Sequence, residues 1–114
     1  MVKWLYYTHY LIGGITVNII KEKNDMQLSI ILEGRLDTNT APQLESELKR
    51  EIGGVEKLVF DFEKLEYLSS AGLRVLLSAQ KVMNKQGEMI IKNVNETIAD
   101  IFEITGFSDI LTIE

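Results

Sequence analysis

The sequence predicts an α/β protein in which helices pack on one mostly parallel or mixed sheet. Three observations support this prediction. Short apolar, β-branched runs alternate with segments whose apolar residues recur at helical spacing. Glycines and capping residues separate most of these segments. The chain has 114 residues, 46% of them hydrophobic, which suits one domain with its own core.

The first predicted elements are a hairpin and a helix. Thr16–Lys21 and Gln27–Leu32 are apolar, β-branched strands, and the turn signal Asn24-Asp25 lies between them. Thr40 can then cap a helix whose apolar residues follow at helical spacing. Gly53-Gly54 ends that helix.

The second half predicts two further strands and a second helix. Lys57–Phe62 is short, apolar and β-prone, so it indicates a buried strand. An amphipathic helix begins near Ser69 and ends at Gly87. Glu88–Lys92 is the next strand.

The C-terminal segment predicts a third helix and an edge strand. Asn95 can cap the helix and Gly106 ends it. Ile110–Ile113 then has the composition of a short edge strand.

The N-terminus differs in composition from the rest of the chain. We expect residues Met1–Ile15 to be an aromatic extension, joined at Gly13-Gly14 to a domain that spans 16–114. The extension is either poorly packed or an arm that docks on its own domain or on a second copy. The extension's apolar stretch is far shorter than the roughly 20 residues of a membrane span, and no signal-peptide cleavage site is evident. We therefore expect a cytoplasmic protein that does not enter a membrane.

Composition excludes several kinds of site. The sequence has no cysteine, so a disulfide framework, a zinc finger and a thiol nucleophile are excluded. A Ser-His-Asp triad would need His9, the single histidine. The net charge is −5, and residues 94–114 hold five acidic residues and no Lys or Arg. That segment is either a solvated helix face or an acidic surface that steers a basic partner. No basic stripe that would suit nucleic acid is visible.

Catalysis has little support in the residues themselves. Asp37 and Asp61 lie near strand ends and form a conceivable acid–base pair, although a structural carboxylate is the preferred interpretation of Asp61. No glycine-rich nucleotide fingerprint occurs. We therefore predict no catalytic residue, no metal and no cofactor.

The most informative segment joins the central strand to the second helix. Ser69 and Ser70 lie where that helix begins. One of them can cap the helix, and one can be phosphorylated, because a helix N-terminus accepts a phosphate. The two roles are compatible.

Three stretches together resemble the STAS domain family, and within it the bacterial anti-sigma factor antagonists. The resemblance covers about Thr16 to Glu114. The first stretch resembles a strand end and the first helix of the family. The second resembles the family's central strand and D-S-[ST]-G-L switch loop, and the third resembles its C-terminal ending. The residues that carry it are Glu33–Asp37 with Thr40–Pro42, Leu58–Tyr67 with Ser69–Leu73, and Gly87–Met89 with Ile101–Gly106.

The resemblance implies the STAS fold, a four- to five-stranded mixed sheet with helices packed on it, and a binding function. In the family, the antagonist binds an anti-sigma factor with a histidine-kinase-like ATPase fold, which phosphorylates a switch-loop serine, and a serine phosphatase reverses this. Ser70 matches the phosphoacceptor, with Ser69 as an alternative because it replaces the family's usual aspartate. Arg74 lies one turn further, where it can face a phosphate or pair with Asp37. The expected partner-binding residues are Asp37, Thr40, Ser69, Ser70, Ala71, Gly72 and Arg74.

The leading hypothesis is therefore an anti-sigma factor antagonist that regulates transcription by partner switching. It would bind its partner in the unphosphorylated form and be switched off by serine phosphorylation. We expect it to be a monomer or a weak dimer that does not contact nucleic acid directly. The alternatives are a STAS scaffold or docking module without a phosphorylation switch, and a small nucleotide-binding domain.

Overall fold

The computed structural model describes the chain over residues 3–12 and 15–114, with side chains from residue 17 onward. No helix in these ranges is long and apolar enough to cross a membrane. A short 3₁₀ turn, Phe107–Asp109, follows the last helix. The elements are β1 (Lys3–Ile12), β2 (Ile15–Asn24), β3 (Gln27–Leu36), α1 (Ala41–Glu51), β4 (Lys57–Leu68), α2 (Ser70–Gln86), β5 (Glu88–Lys92) and α3 (Glu96–Thr105).

The five strands form one mixed sheet in the order β1-β2-β3-β4-β5. β1, β2 and β3 pair antiparallel, whereas β3–β4 and β4–β5 pair parallel. The parallel connections pass through α1 and α2, as parallel strands require. The predicted α/β class and mixed sheet are confirmed, and β2 and β3 form the predicted hairpin.

The N-terminal segment forms a strand, whereas no regular element was predicted there from the sequence. β1 pairs along the whole of β2, from Lys3 opposite Asn24 to Ile12 opposite Ile15. The expected joint at Gly13-Gly14 lies outside the described residues. The division between an extension and a domain that begins at residue 16 stays a prediction.

The core lies between the sheet and the helices. Leu44 of α1, Leu76 of α2 and Phe102 of α3 are fully buried and belong to the same apolar cluster as Phe60 and Phe62 of β4. Burying one such side chain stabilises the fold by roughly 1.5–3 kcal/mol. The helical spacing of the apolar residues therefore determines which face of each helix packs on the sheet.

A buried ion pair joins the sheet to α1. Lys21 of β2 is 6% exposed and donates from Nζ to the carboxylate of Glu47, which is 1% exposed. Arg50, one turn further along α1, donates to the other oxygen of the same carboxylate. These contacts fix the position of α1 over the hairpin by directional bonds as well as by apolar packing.

β4 is longer than predicted and contains two register shifts. The predicted strand ended at Phe62, but the observed strand continues to Leu68. Its pairing with β3 shifts by one residue between Ile31 and Glu33, and by another between Gly34 and Arg35. Each shift adds a residue to β4 and interrupts the alternation of buried and exposed side chains, so the sequence pattern no longer resembles a strand.

The predicted strand Ile110–Ile113 is reduced to a single bridge, in which Ile113 pairs parallel with Ile91 of β5. Ile91 donates its N–H to the carbonyl of Thr112 at 2.9 Å, and Glu114 donates its N–H to the carbonyl of Ile91 at 2.8 Å. The C-terminal residues therefore cover the outer edge of β5 near its C-terminal end, without forming a full strand.

Candidate functional site

The candidate site lies where β3 and β4 end side by side. Leu36 and Leu68, the last residues of these strands, are register partners. The N–H of Ser69 donates to the carbonyl of Leu36 at 2.9 Å. The loop that begins at Asp37 and the loop that begins at Ser69 therefore start next to each other, and the sheet brings together two segments that are far apart in the sequence.

Asp37 organises the loop that leads into α1. Its Oδ1 atom accepts the N–H groups of Asn39 at 3.0 Å and Thr40 at 3.2 Å. Its Oδ2 atom lies 3.5 Å from Nε of Arg35. The carboxylate side chain is only 14% exposed. Asp37 thus shapes the loop backbone and is neutralised by a neighbouring cation.

Thr40 occupies the position before α1, but its side chain does not cap the helix. This part of the prediction is wrong. The hydroxyl donates to the carbonyl of Arg35 at 2.6 Å and accepts the N–H of Asp37 at 2.9 Å. The backbone of Thr40 is helical (φ −104°, ψ −22°), whereas capping residues usually have extended backbone. The buried hydroxyl closes the turn at the end of β3 instead.

Ser69 and Ser70 have different environments at the start of α2. Ser69 has extended backbone, and its Oγ atom accepts the N–H of Gly72 at 3.4 Å, so it caps the helix. Ser70 is the first residue of the helix and is exposed. The first N–H groups of a helix have no partner inside it and attract anions. The structure therefore gives the capping role to Ser69 and leaves the Ser70 hydroxyl accessible.

Gly72 allows α2 to approach the ends of both strands. A Cβ atom at this position would lie 2.6 Å from Cδ1 of Leu68 and 3.0 Å from Cγ and Cδ2 of Leu36. These two leucines are almost completely buried. A larger residue would therefore push the start of α2, and with it Ser70, away from the sheet.

Ala71 and Arg74 line a shallow hollow between the starts of α1 and α2. The hollow has a volume of about 190 Å³, and its α1 side is formed by Ala41, Pro42 and Glu45. Arg74 is exposed and does not pair with Asp37, because Arg35 takes that place. Of the seven predicted partner-binding residues, two line this hollow, Ala71 and Arg74. The other five lie in the adjoining loops or in the first turn of α2, and two of them, Thr40 and Gly72, are buried.

Sequence analysis missed the contribution of Arg35 and Tyr67. These two residues are register partners on β3 and β4. The guanidinium carbon of Arg35 lies 4.3 Å from the centroid of the Tyr67 ring, a cation–π contact. The stack holds the cation that pairs with Asp37. Only the register of two strands distant in sequence reveals it.

The hypothesis that Asp37 and Asp61 form an acid–base pair is wrong. Asp61 is the register partner of Ile31, five residues before the end of β3, which is about 16 Å along a strand. Its Oδ1 atom accepts Nδ2 of Asn93 and the N–H of Glu63, both at 3.0 Å. Asp61 therefore has a structural role. In the part of the chain that the structure describes, His, Asp and Glu form no group of three suited to a metal ion.

Comparisons with known proteins agree with the resemblance found in the sequence. Residues 18–114 match the STAS domain family. The chain is 31% identical to the anti-sigma-B factor antagonist of Bacillus subtilis over 101 residues, which are 88% of this chain and 91% of that protein. The structure superposes on an anti-sigma factor antagonist from Mycobacterium paratuberculosis with a TM-score of 0.78 and 21% identity, over 85% of this chain and 84% of the other.

The fold is also that of SpoIIAA, an anti-sigma factor antagonist. Its unphosphorylated form gives a TM-score of 0.66 at 19% identity, over 96% of this chain and 87% of that one. The phosphorylated Bacillus form gives 0.64 at 19% identity, over 96% and 91%. These likenesses confirm the predicted fold.

Proposed function

This chain belongs to the STAS domain family, and we propose that it acts as an anti-sigma factor antagonist controlled by phosphorylation of Ser70. Its partner would be an anti-sigma factor with a histidine-kinase-like ATPase fold, which phosphorylates the serine, and a serine phosphatase would reverse the reaction. The antagonist of Bacillus subtilis, at 31% identity, supports the binding function. The domain would occupy residues 16–114, act in the cytoplasm and catalyse no reaction itself.

One observation carries the proposal. Ser70 is the exposed first residue of α2, while its neighbour Ser69 supplies the capping bond. Phosphorylation of Ser70 would thus leave the cap intact. The phosphate adds about −1.5 to −2 charge units, and the helix N-terminus tolerates that charge within the fold. A partner that contacts the hollow would meet a new, strongly hydrated anion. Phosphorylation would thereby weaken binding without unfolding the antagonist.

The surface around Ser70 suits a binding site formed by both loops. Asp37, Thr40 and Arg35 hold the first loop through hydrogen bonds and an ion pair. Gly72 holds the second loop close to the strand ends. A preorganised surface loses little conformational entropy when a partner binds. The loops would therefore present the same geometry in the free and the bound protein.

A second candidate function is a docking module without a phosphorylation switch. The observation that favours it is Ser69, which stands where the family usually has aspartate. A kinase that uses this aspartate to position the acceptor would lose one contact. One measurement distinguishes the two candidates, because only the phosphorylation switch predicts that the protein incorporates phosphate.

The test uses this protein and the purified anti-sigma factor kinase encoded in the same genome. We expect mass spectrometry after incubation with ATP to find one phosphate on Ser70, and none on Ser70→Ala. Calorimetry should give similar affinities for wild type and Ser70→Ala. Ser70→Asp should bind at least about tenfold more weakly than wild type. Ser108→Asp, an exposed serine in the 3₁₀ turn, is the matched control and should bind like wild type.

Two results would contradict this proposal. Tight binding by a sample verified as fully phosphorylated on Ser70 would exclude the switch. Binding without any phosphate incorporation, under conditions where a standard antagonist is modified, would favour the docking module.

A further inference from the structure

The hollow beside Ser70 continues into a longer groove between α1 and α2. Its second stretch has a volume of about 300 Å³ and shares Glu45 and Val75 with the first. Leu48, Val75 and Ala79, none more than 5% exposed, form the floor, and Val82 stands at the side with 38% of its surface exposed. We call the two stretches together the helix groove. Its floor is apolar, its α1 wall carries the ion pair of Lys49 with Glu45 at 3.5 Å, and it opens at the candidate site.

The exposed face of α2 beside the helix groove is basic although the protein is acidic, and Arg74 of this face also lines the groove. α2 contains no Asp or Glu, and its bases Arg74, Lys81 and Lys85 are all exposed. Spacings of seven and eleven residues place them within about 20° of one line along the helix. We call these three residues the basic stripe. Val82 adjoins the stripe on the side of the groove.

The basic stripe differs from most of the other cations in residues 17–114. Among the residues from 17 onward, no carboxylate lies within ion-pair distance of Arg74, Lys81 or Lys85. Most other cations of that range are paired with a carboxylate of this chain: Lys21, Arg35, Lys49, Arg50, Lys57 and Lys64. Three aligned cations without an internal counter-charge beside an apolar groove have the features of a surface complementary to an acidic partner.

We propose that the helix groove and the basic stripe bind an acidic amphipathic helix of the anti-sigma factor. Apolar side chains of that helix would enter the groove between Leu48 and Val82, and its carboxylates would pair with the basic stripe. This inference rests on the proposed function and names the chemistry of the partner. It follows from the continuity of the groove with the Ser70 surface and from the charge of α2.

The geometry also links the basic stripe to the switch. Ser70 lies one turn before Arg74, within about 40° of the line of the stripe. A phosphate on Ser70 would place its charge at the end of the stripe, where it pairs with Arg74 and repels an approaching acidic helix. Phosphorylation would thus act on the partner through electrostatic competition.

A second copy of this chain is the other conceivable occupant. Its α3 is acidic, but the apolar side chains Ile98 and Phe102 are fully buried in its own core. Only Ile104, at 85% exposure, projects outward as a large apolar side chain of that helix. One apolar side chain does not fill a groove of this length, so the anti-sigma factor fits better.

The test measures binding of the purified anti-sigma factor from the same genome by calorimetry at low and high salt. We expect the double variant Lys81→Glu/Lys85→Glu to bind at least about tenfold more weakly than wild type. It should also lose most of the salt dependence that wild-type binding has. Val82→Asp should weaken binding at both salt concentrations because it removes an apolar contact, and more at low salt because its carboxylate also repels the acidic helix. The matched controls Lys92→Glu and Ile104→Asp, at exposed positions on other elements, should bind within about twofold of wild type. Circular dichroism verifies folding, which these exposed substitutions should preserve.

The outcomes separate this inference from the proposed function. If wild type binds and Ser70→Asp weakens binding, but the stripe and Val82 variants bind like wild type, the helix-groove proposal is overturned and the switch stands. If wild type does not bind the anti-sigma factor at all, both are overturned. If sedimentation finds a wild-type dimer that Val82→Asp dissociates, the groove binds a second copy, which also overturns this proposal.

Discussion

Replacement of Gly87 by alanine should strongly destabilise the protein. Gly87 ends α2 and leads into β5, and its N–H donates to the carbonyl of Met83 at 2.7 Å. A Cβ atom at this position would lie 1.8 Å from the carbonyl oxygen of Glu56 and 2.6 Å from its carbon. These are backbone atoms, so no side-chain rotation relieves the overlap.

The magnitude follows from the displacement that the methyl group requires. The distance from the Cβ atom to the Glu56 oxygen must increase from 1.8 Å to at least 3.0 Å. That movement separates the N–H of Glu88 from the same oxygen, which it contacts at 3.0 Å. A lost hydrogen bond costs about 1 kcal/mol and overpacking typically 1–3 kcal/mol. We expect Gly87→Ala to lower the free energy of unfolding by about 2–4 kcal/mol.

Urea denaturation followed by circular dichroism measures this difference directly. In thermal denaturation, a domain of this size loses roughly 4 °C of melting temperature per kcal/mol. The melting temperature of Gly87→Ala should therefore fall by about 8–16 °C. Gly53→Ala is the matched control, because a Cβ atom there meets nothing within 4 Å. Its stability should change by less than about 0.5 kcal/mol. If Gly87→Ala were as stable as the Gly53 variant, the steric argument for the junction of α2 and β5 would be refuted.

Two further substitutions test the hydrogen bonds at the candidate site. Ser69→Ala removes the capping bond to Gly72, and because that bond is long at 3.4 Å we expect a loss of only about 0.5–1 kcal/mol in urea denaturation. No loss would mean that Ser69 does not cap α2 in solution. Thr40→Val keeps the shape but leaves the N–H of Asp37 and the carbonyl of Arg35 without the buried hydroxyl, so stability should fall by about 1–3 kcal/mol. Thr40→Ser should recover most of that loss, and an equally unstable serine variant would show that the hydroxyl alone does not hold the turn.

The helices and the hairpin were predictable because their signals are local. Asn95 accepts the N–H of Ile98 at 2.9 Å, as a capping residue predicted from the sequence should. Gly106 ends α3 with a left-handed backbone (φ 82°) that favours glycine. Such signals depend only on residues a few positions apart, so a single sequence contains them.

The features that the sequence did not predict depend on distant partners. The buried pair of Lys21 and Glu47 joins residues that are 26 positions apart, and neither has a local reason to be buried. The stack of Arg35 on Tyr67 requires the register of β3 and β4, including both shifts. The residues of the site can be identified in the sequence one by one, whereas the pairing of the strands determines which of them come into contact.

Because of the register shifts in β4, the length of the segment that precedes Ser69 is constrained more tightly than the identity of its residues. Leu28 pairs with Leu58, and Leu36 pairs with Leu68, so β4 uses two residues more than β3 over this stretch. Deletion of one of them would draw Ser69 back by about 3.3 Å and turn the following side chains to the opposite face. Glu63, Lys64 and Glu66 are exposed in this stretch. Substitution of these exposed side chains should therefore cost little, even for Lys64 with its surface ion pair to Glu33. Insertions and deletions between Asp61 and Ser69 would uncouple the two halves of the site.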